Sequence, residues 1–387
     1  MAGAITDREL SVPTRTSIRF ALAAEADEAA IRQLLRDNPM RGEISLSFER
    51  EPNYFLGAGV AGSDDQTMLA FEGERLLCMG RCSIRRRYMN GVVRRVGYLA
   101  ELRLDASAQG RFDILRDGYR FLRELHRDSP PDVYFTSIAA DNYRAIRLFE
   151  RGLRGLPTYR FLTGFVTLVI PVPRKSSTRV QQKLHSRGLS MEKGAEGNLP
   201  ELTDFLNAQS SLQQLAAHWT PEDLRSLAER GLTLDKFLLL RKSGKIVACI
   251  ALWDQRNFRQ TVIREYGRTT RIVRPAVNLA AKFLNTPRLP EPNSILAQAF
   301  LSPLAIDPGY AALLPDLITL CAPTATQCGV EFLTLGLAAN DSRLPMLKKH
   351  FNSRVYQSRL YCVAWPDSPA TSQDFASTHC LPEVALL

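Results

Sequence analysis

The sequence predicts an α/β protein built from two related mixed-sheet domains in tandem. The first observation is that strand-like and helix-like segments alternate through residues 17–170. The second is an internal repeat, because the segment 72–80 matches 243–251 and the segment 137–149 matches 336–348, in the same order. The third is the length, since 387 residues leave room for two to three domains at about 150 residues each. A duplicated α/β domain accounts for all three.

The elements of the first half follow from apolar spacing and turn residues. Alternating apolar residues predict strands, and apolar residues at helical spacing predict helices. Asn90-Gly91 is the dipeptide most typical of a tight hairpin turn, and Asp141 or Asn142 is expected to cap a helix. In chain order we expect a strand at 17–23, a helix at 25–38, two strands joined at Gly73, the hairpin, a strand ending at Asp105, a helix at 112–128, a strand at 133–140, a helix at 142–152 and one or two strands over 160–170.

The second half repeats this order with an insertion. The two matching blocks are offset by 171 and 199 residues, so the second copy holds about 28 extra residues, which an apolar helix at 271–285 would supply. The stretch 171–188 is rich in proline and serine without a clear apolar period, and it is predicted to be a linker. The expected domains are therefore 17–170 and 189–366, with loose ends at 1–16 and 367–387.

Composition excludes several classes of protein. With 45% hydrophobic and 23% charged residues, the chain is expected to fold as a globular protein. No apolar run approaches the roughly 18 residues of a membrane-spanning helix, so no membrane partner is expected. Seven cysteines do not indicate a disulfide framework, and the start lacks a secretory pattern, which together predict a cytoplasmic protein. Cys78 with Cys82, and Cys321 with Cys328, lack the close ligands that zinc needs and are expected to pack in the core.

Two further patterns have simple explanations. Gly57–Gly62 has the spacing of a dinucleotide fingerprint but leads into a strand instead of a helix, so a loop is expected. The arginines of the hairpin, at 85–87 and 94–95, predict a solvated edge, since charge on an exposed strand discourages pairing. An acidic partner or a phosphate of CoA is the alternative for these arginines.

The segment 99–125 has a pattern that suits a phosphate group. A strand ends at Asp105, a short polar turn follows, and a helix starts at Phe112. The free backbone N–H groups at such a helix start favour an anion, and Arg111 adds a positive charge. An ordinary strand–loop–helix connection has the same pattern, so these residues alone leave both interpretations open.

A resemblance to a known family adds to this pattern. The stretches YLAELRLDASAQGR (98–111), DGYRFLREL (117–125) and FTSIAADNYRAIRLFERG (135–152) resemble the acyl-CoA-binding core of the GCN5-related N-acetyltransferase (GNAT) superfamily. The resemblance covers 17–170 directly and 188–365 through the repeat, which implies two GNAT-like domains in tandem. It implies acetyl-CoA as co-substrate and no metal. The cofactor contacts that it implies are those of Leu102, Arg103, Leu104, Gln109, Gly110, Arg111, Phe112, Asn142 and Ala145.

Several positions bear on catalysis. Glu101 is the candidate catalytic base that the resemblance implies, and a raised pKa would suit that role. The alternative is that Glu101 is a surface glutamate paired with an arginine. Phe112 and Ile114 stand where the family's pyrophosphate loop has small residues, and Phe112 would crowd the close approach that glycine permits. Phe149 stands where many members have a tyrosine that protonates the leaving thiolate. In the second copy Pro303 falls at the position of Glu101, so a degenerate site is expected there.

The acceptor amine is expected to bind at FEREPNYF (48–55), because the resemblance implies that this segment forms a wall of the acceptor pocket. The carboxylates and aromatic rings that would contact the amine are those of Glu49, Glu51, Tyr54 and Phe55.

The expected function is acyl-CoA-dependent N-acyl transfer in the N-terminal domain, with an acetyl group passing to a primary amine of a small molecule or a protein. The alternative is a non-catalytic protein of the same fold that senses CoA or binds a partner. Nucleic-acid binding is the least favoured class, because the net charge of +10 is not concentrated at one place.

Overall fold

Strands and helices alternate through the computed structural model, which describes residues 17–40, 42–284, 288–368, 375 and 379–387. The first half contains β1 (Ile18–Leu22), α1 (Glu28–Asp37), β2 (Ile44–Glu49), β3 (Asp64–Glu72), β4 (Arg75–Met89), β5 (Val92–Leu104), α2 (Phe112–Leu125), β6 (Val133–Ala139), α3 (Tyr143–Glu150) and β7 (Thr158–Pro171). The second half contains α4 (Ser177–Ser186), β8 (Leu189–Lys193), α5 (Leu199–Ser210), α6 (Pro221–Ser226), β9 (Phe237–Lys242), β10 (Lys245–Trp253), β11 (Gln260–Tyr266), α7 (Arg268–Leu284), β12 (Ser294–Ile295), β13 (Gln298–Ile306), α8 (Leu314–Leu320), α9 (Ala322–Gln327), β14 (Phe332–Ala338), α10 (Arg343–His350) and β15 (Arg354–Ala364). The elements predicted for the first half are present, and β2 is an addition.

The predicted turn and cap residues have the expected conformations. Asn90 and Gly91 both take positive φ, 51° and 75°, at the β4–β5 hairpin. The side chain of Asn142 accepts a hydrogen bond from the N–H of Ala145 and so caps α3. These local signals place the ends of β5 and α3, the two elements that later flank the site.

A twelve-stranded mixed sheet runs through both halves in the order β1-β3-β4-β5-β6-β15-β7-β14-β13-β10-β9-β8. The pairs β5–β6 and β13–β14 are parallel, whereas their neighbours are antiparallel. At the centre the two halves exchange strands, because β15 lies between β6 and β7, and β7 lies between β15 and β14. Each half therefore completes the sheet of the other.

The repeat predicted from the sequence is present in the structure. Gly73 and Gly244, 171 residues apart, both take positive φ at the β3–β4 and β9–β10 turns. The β4–β5 pairing is irregular opposite Gly80, and the β10–β13 pairing is irregular at the corresponding residue Ala251. Helix α7 supplies the predicted insertion, and the last residue of the predicted helix, Asn285, lies outside the described residues. The domain division at 171–188 stays a prediction, and α4 lies within that segment.

A small second sheet joins the two halves on one face. β2 pairs antiparallel with β11, and β11 pairs with β12. Between Asp37 and Asp64 the described residues contain β2 and a short 3-10 turn. The chain returns across the second half because the apolar residues of β2 and β11 pack together, among them Leu46, Ile263 and Tyr266.

The β4 strand of the arginine-rich hairpin is not the solvated edge that the sequence predicted, whereas Arg94 on β5 is exposed as expected. Arg87 is fully buried and Arg85 is nearly so, while Arg86 between them is exposed. Alternate residues of a strand face opposite sides, and the edge of β4 that β3 leaves unpaired is bonded through its backbone to residues 215–218 of the second half. The guanidinium of Arg85 lies 4.3 Å from the centre of the Trp219 ring, and the guanidinium of Arg87 lies 5.0 Å from the centre of the Phe135 ring.

Candidate active site

The parallel strands β5 and β6 separate in the middle of the first half. They pair only over Val96–Leu99 and Val133–Thr136, and both then continue apart, to Leu104 and Ala139. At the point of separation the hydroxyl of Thr136 donates to the carbonyl of Leu99 over 2.6 Å. Beyond it, the facing edges have no strand partner among the described residues. Their backbone N–H and C=O groups can therefore bind a ligand.

This cleft opens into a cavity of about 460 Å³ that residues of both halves line. That size is typical of a pocket for a small-molecule ligand. One wall is mainly apolar and is formed by Met68, Leu69, Leu115, Gly118, Tyr119, Leu122, Phe149 and Tyr159. Another part of the lining is polar and includes Arg50, Tyr98, Glu101, Arg103, Arg259, Gln298 and Tyr356.

Glu101 lies at a bulge in β5 that borders this cavity. Glu101 and Leu102 both lie opposite Gly80, and Glu101 has a φ of 54°. This left-handed conformation costs a residue other than glycine on the order of 1 kcal/mol or more, and such strain is concentrated at functional sites. Among the described residues that line the cavity, Glu101 is the one whose side chain carries a carboxylate.

The carboxylate of Glu101 is held by cations. Arg50 forms an ion pair with it, Arg81 lies 3.8 Å away, and the hydroxyl of Tyr54 donates to it over 3.0 Å. Burial by itself raises the pKa of Glu101, but Arg50, Arg81, the Tyr54 hydroxyl and Arg103 together outweigh burial and lower the pKa to about 2. The raised pKa that a catalytic base needs is therefore not found. An ion-paired carboxylate is a weak proton acceptor at neutral pH.

The predicted cofactor-binding residues divide into two groups. Leu102, Arg103, Asn142 and Ala145 line the cavity, whereas Leu104, Gln109, Gly110, Arg111 and Phe112 lie outside the described lining. The first group flanks the cleft on β5 and α3, and the second forms the end of β5 and the turn before α2. The structure therefore brings four of the nine to one cavity, and their role in binding stays a prediction.

The turn before α2 has the shape of an anion site, but its charge is already balanced. Gly110 takes a φ of 88°, and α2 begins at Phe112. Arg111 is ion-paired with Glu72 at 3.0 Å and with Asp113 at 2.6 Å. A diphosphate at this turn would have to compete with both carboxylates for Arg111. The side chain of Phe112 is 56% exposed.

The predicted acceptor carboxylates lie beside the cavity and not in its described lining. Glu49 is ion-paired with Arg264, and Glu51 is ion-paired with Arg32 and, over 2.6 Å, with Arg36. These contacts neutralise both carboxylates.

The two predicted acceptor rings also lie beside the large cavity. Tyr54 and Phe55 pack edge to face at 5.3 Å and border a separate cavity of about 120 Å³. The same segment reaches the large cavity through Phe48 and Arg50. Alternate residues of an extended chain face opposite sides. Glu49 and Glu51, which were predicted to contact the acceptor, alternate with Phe48 and Arg50 and therefore lie on the side away from the large cavity.

Two groups of cavity residues were not found by sequence reasoning. Tyr119 and Tyr159 hydrogen-bond to each other through their hydroxyls, and the ring of Tyr159 stacks on Phe149 at 4.3 Å. Arg259 comes from the second half and donates to the carbonyl of Ala385 over 3.1 Å. Burial, with Arg50 nearby, lowers the pKa of Arg259 to about 9. Tyr119 was visible only as one of the apolar positions of α2, and nothing local in the sequence marks Arg259.

The second half has a corresponding cleft, which the chain itself fills. β13 and β14 pair only over Gln298–Phe300 and Phe332–Thr334. Glu383 then accepts hydrogen bonds from the Ser302 hydroxyl at 2.6 Å and the Leu304 N–H at 3.3 Å. Val384 lies against Gly336 on the other strand. Burial raises the pKa of Glu383 to about 7. Residues 381–387 are thus packed into the molecule, whereas a loose end was predicted; the predicted loose end at 1–16 lies outside the described residues.

Comparison with solved structures identifies the architecture. The yeast (Saccharomyces cerevisiae) N-myristoyltransferase with bound myristoyl-CoA and inhibitors superposes with a TM-score of 0.57 over 98% of this chain and 89% of its own, at 12% identity. The chain has the GNAT fold. Its arrangement is the tandem one of the N-myristoyltransferases. At this identity the likeness shows the fold alone.

Two further structures of the GNAT fold agree with this assignment. A GCN5-related N-acetyltransferase from Sphaerobacter thermophilus has a TM-score of 0.51, with 91% of this chain and 96% of its own covered at 12% identity. A GCN5-related glucosamine N-acetyltransferase region of a fungal multi-domain GH3 β-N-acetylglucosaminidase has a TM-score of 0.58 at 12% identity. That match covers 90% of this chain and 38% of the fungal chain. No protein-family model and no curated protein matches the sequence.

Proposed function

We propose that this protein is an acyl-CoA-dependent N-acyltransferase and that transfer takes place in the first half. The contrast between the two clefts carries this proposal. The β5–β6 cleft leads into a cavity, whereas Glu383 and Val384 occupy the β13–β14 cleft. The yeast enzyme that shares the GNAT fold has myristoyl-CoA bound, which supports acyl-CoA as the ligand of this fold.

The free backbone edges of the β5–β6 cleft suit the pantetheine arm of acyl-CoA. This arm carries amide groups, which would hydrogen-bond to the N–H and C=O groups that the separating strands leave unpaired. The N–H groups near the bulge at Leu102 would donate to the thioester carbonyl and stabilise negative charge on its oxygen during transfer. Ala145 and Asn142 at the start of α3 would flank the arm.

The reaction balances without a proton donor or acceptor from the protein. The amine nitrogen attacks the thioester carbon, the carbon–sulfur bond breaks, and CoA leaves as a thiolate. The proton that the nitrogen loses then balances the thiolate. Phe149 cannot supply a proton, and the hydroxyls beside it belong to Tyr119 and Tyr159.

Glu101 would act through its charge. Because its pKa is about 2, it is ionised throughout the physiological range and is a poor acceptor for the amine proton. A fixed carboxylate at the bulge would instead stabilise the positive charge that develops on the attacking nitrogen. It would also orient Arg50 and Arg81, which it contacts.

The family resemblance leads us to expect an acetyl group, but the apolar wall of the cavity favours a longer acyl chain. Leu115, Gly118 and Leu122 of α2 face the cavity together with Met68 and Phe149. An acetyl group would leave most of this apolar surface uncovered, whereas each buried methylene of a longer chain contributes about 0.8 kcal/mol. We therefore propose an acyl chain longer than acetyl as the preferred donor.

The acceptor is proposed to be a primary amine that also carries a negative charge. The described cavity lining contains the four arginines Arg50, Arg81, Arg103 and Arg259 against the single side-chain carboxylate of Glu101, while Asp65, outside the lining, is ion-paired with Arg81. Burial lowers the pKa of Arg103, which reflects the cost of holding this charge away from water. An amine with its own carboxylate offsets that cost, whereas a polyamine adds to it.

The test is release of CoA from acetyl-, octanoyl- and palmitoyl-CoA with a panel of amines, measured by chromatography. The panel contains amino acids, their amides and diamines. We expect turnover to be faster with octanoyl- or palmitoyl-CoA than with acetyl-CoA, and with amino acids than with their amides. Binding of acyl-CoA without turnover for any amine would support the non-catalytic alternative. Two observations favour that alternative, because Glu101 is ion-paired with arginine and Phe149 cannot donate a proton. Absence of acyl-CoA binding would overturn both.

A further inference from the structure

Helix α7 presents its apolar side to solvent. Ile272 is 73% exposed and Leu279 is 57% exposed, and Val273 and Val277 are 43% and 41% exposed. Ile272, Ala276 and Leu279 recur at helical spacing and form one stripe. A surface helix ordinarily turns such a stripe towards the core, so this helix is inverted.

The opposite side of α7 explains the inversion, because it is polar and is attached to the protein by hydrogen bonds. The hydroxyl of Thr270 donates to Glu43 over 2.6 Å. The guanidinium of Arg274 lies 5.7 Å from the ring of Tyr266. The amide of Asn278 both donates to the carbonyl of Leu289, at 3.0 Å, and accepts from its N–H, at 2.7 Å.

These contacts hold the apolar stripe outward. Thr270, Arg274 and Asn278 are four residues apart and so lie on one face of the helix. Each is anchored to a residue outside the helix, which fixes the rotation of α7 about its axis. The exposure of Ile272 and Leu279 is therefore part of the fold.

The charge of the helix points to an anionic partner. Residues 268–284 contain four basic residues and no acidic one. Arg268 and Arg271 are exposed beside the apolar stripe and form no ion pair within the described part of the chain. Exposed apolar side chains flanked by unpaired arginines are the composition of helices that lie in the interface of an anionic membrane.

We propose that α7 binds the surface of an anionic lipid bilayer, with Ile272 and Leu279 in the acyl region and Arg268 and Arg271 at the headgroups. No helix among the described residues is long and apolar enough to cross a membrane, and this binding is peripheral. The proposal differs from the sequence-based expectation that no membrane is a partner. It is independent of the proposed enzymatic function.

The position of α7 connects this surface to the cavity. Below the helix, Tyr266 and Leu289 pack in one apolar cluster with Leu46 and Leu296. Leu46 and Leu296 also line the large cavity. A protein held through α7 would therefore present the small sheet, and the cavity wall that it forms, close to the membrane.

The experiment is cosedimentation of the full-length protein with sucrose-loaded vesicles. Vesicles of phosphatidylcholine alone are compared with vesicles that also contain phosphatidylglycerol, at low and high salt. We expect binding to the anionic vesicles that weakens with salt, since screening reduces the contribution of the arginines. The double variant Ile272→Gln/Leu279→Gln should lower the partition coefficient about tenfold or more, because two apolar side chains then leave the lipid.

The matched control is Leu212→Gln, which removes a leucine of similar exposure, 51%, at another surface. Leu212→Gln should bind vesicles like the parent. All three substituted residues are exposed, and unchanged melting temperatures confirm that the variants fold. No binding by the parent, or equal binding by the parent and the double variant, would overturn the proposal. So would size-exclusion data that show a dimer in the parent and a monomer in the double variant, because the stripe would then be an interface between two copies.

Discussion

At the scale of single residues, Glu101 shows that a sequence can indicate a candidate residue without indicating the pKa of its side chain. The family resemblance pointed to this residue, and the structure places it at a strained bulge in the cavity wall. Its two arginine partners are Arg50, which follows β2, and Arg81 on β4, and neither is adjacent in sequence. The pKa of a buried group depends on such neighbours, and a sequence does not show them.

The first prediction concerns the acid stability that Glu101 provides. Its pKa is lowered from an ordinary 4.5 to about 2, so its contribution is complete above pH 4.5 and is lost as the pH falls towards 2. The loss is about 3 kcal/mol, since one pKa unit corresponds to about 1.4 kcal/mol. Urea unfolding between pH 5 and pH 2 measures it for the parent and for Glu101→Gln. A parallel pH dependence of the two proteins would contradict the assignment.

The second prediction concerns Glu383, whose shift has the opposite sign. Its pKa is raised from 4.5 to about 7, so the stabilisation is complete below pH 4.5 and is lost as the pH rises through 7. Glu383→Gln keeps an acceptor oxygen for Ser302 and carries no charge. We expect the variant to exceed the parent in unfolding free energy at pH 8 by on the order of 2 kcal/mol, and by less at pH 5. A variant that is less stable than the parent at pH 8 would show that ionised Glu383 is stabilising.

The proposed acceptor residues show that the sequence does not indicate which side chains of a segment face a cavity. The segment 48–55 borders the cavity, and the residues of it that line the cavity are Phe48 and Arg50 and not Glu49 and Glu51. An error of one residue in register exchanges the two faces of a strand. The register of β2 is set by β11, more than 200 residues away, so nothing nearby in the sequence could indicate it.

At the scale of elements, local signals predicted most of the first half. Asn90-Gly91, the cap at Asn142 and the apolar spacing of α2 depend on neighbouring residues, and the structure confirms each. The small sheet of β2, β11 and β12 was missed because its strands are brought together only by the complete fold.

The third prediction concerns Gly118, which lies inside α2 and faces the cavity. A Cβ there would meet the ring of Phe20 at 3.5 Å, an ordinary contact, so alanine fits. Gly118→Ala should raise the unfolding free energy by about 0.5–1 kcal/mol, because glycine is a poor helix former. Gly118→Phe should fill part of the apolar wall and reduce turnover of palmitoyl-CoA relative to acetyl-CoA. An unchanged ratio of the two rates would place the acyl chain elsewhere.

At the scale of the whole molecule, the exchange of β7 and β15 makes the two halves interdependent. The repeat predicted two copies of one domain. The same sequence pattern is expected whether the two domains lie side by side or exchange strands, so the repeat does not distinguish these arrangements. Because β15 lies between β6 and β7, residues 17–171 alone lack the strand that joins their own sheet.

The fourth prediction is therefore that the chain unfolds in one transition and that 17–171 does not fold alone. Trp219 and Trp253 are buried in the second half, while Trp365 packs on Tyr134 of the first half at 5.3 Å. Tryptophan fluorescence and far-UV circular dichroism should report the same urea midpoint for the full chain. Two separate midpoints, or a folded monomeric fragment, would contradict this interdependence.

The central claim is that acyl-CoA binds the cleft of the first half and not that of the second. Ala145 lies on α3 beside the open cleft, and Ser342 is exposed at the start of the corresponding helix α10. Isothermal titration of acyl-CoA should give a dissociation constant that Ala145→Trp raises by about tenfold or more, whereas Ser342→Trp leaves it unchanged. Unchanged affinity in Ala145→Trp together with weakened binding in Ser342→Trp would contradict the account.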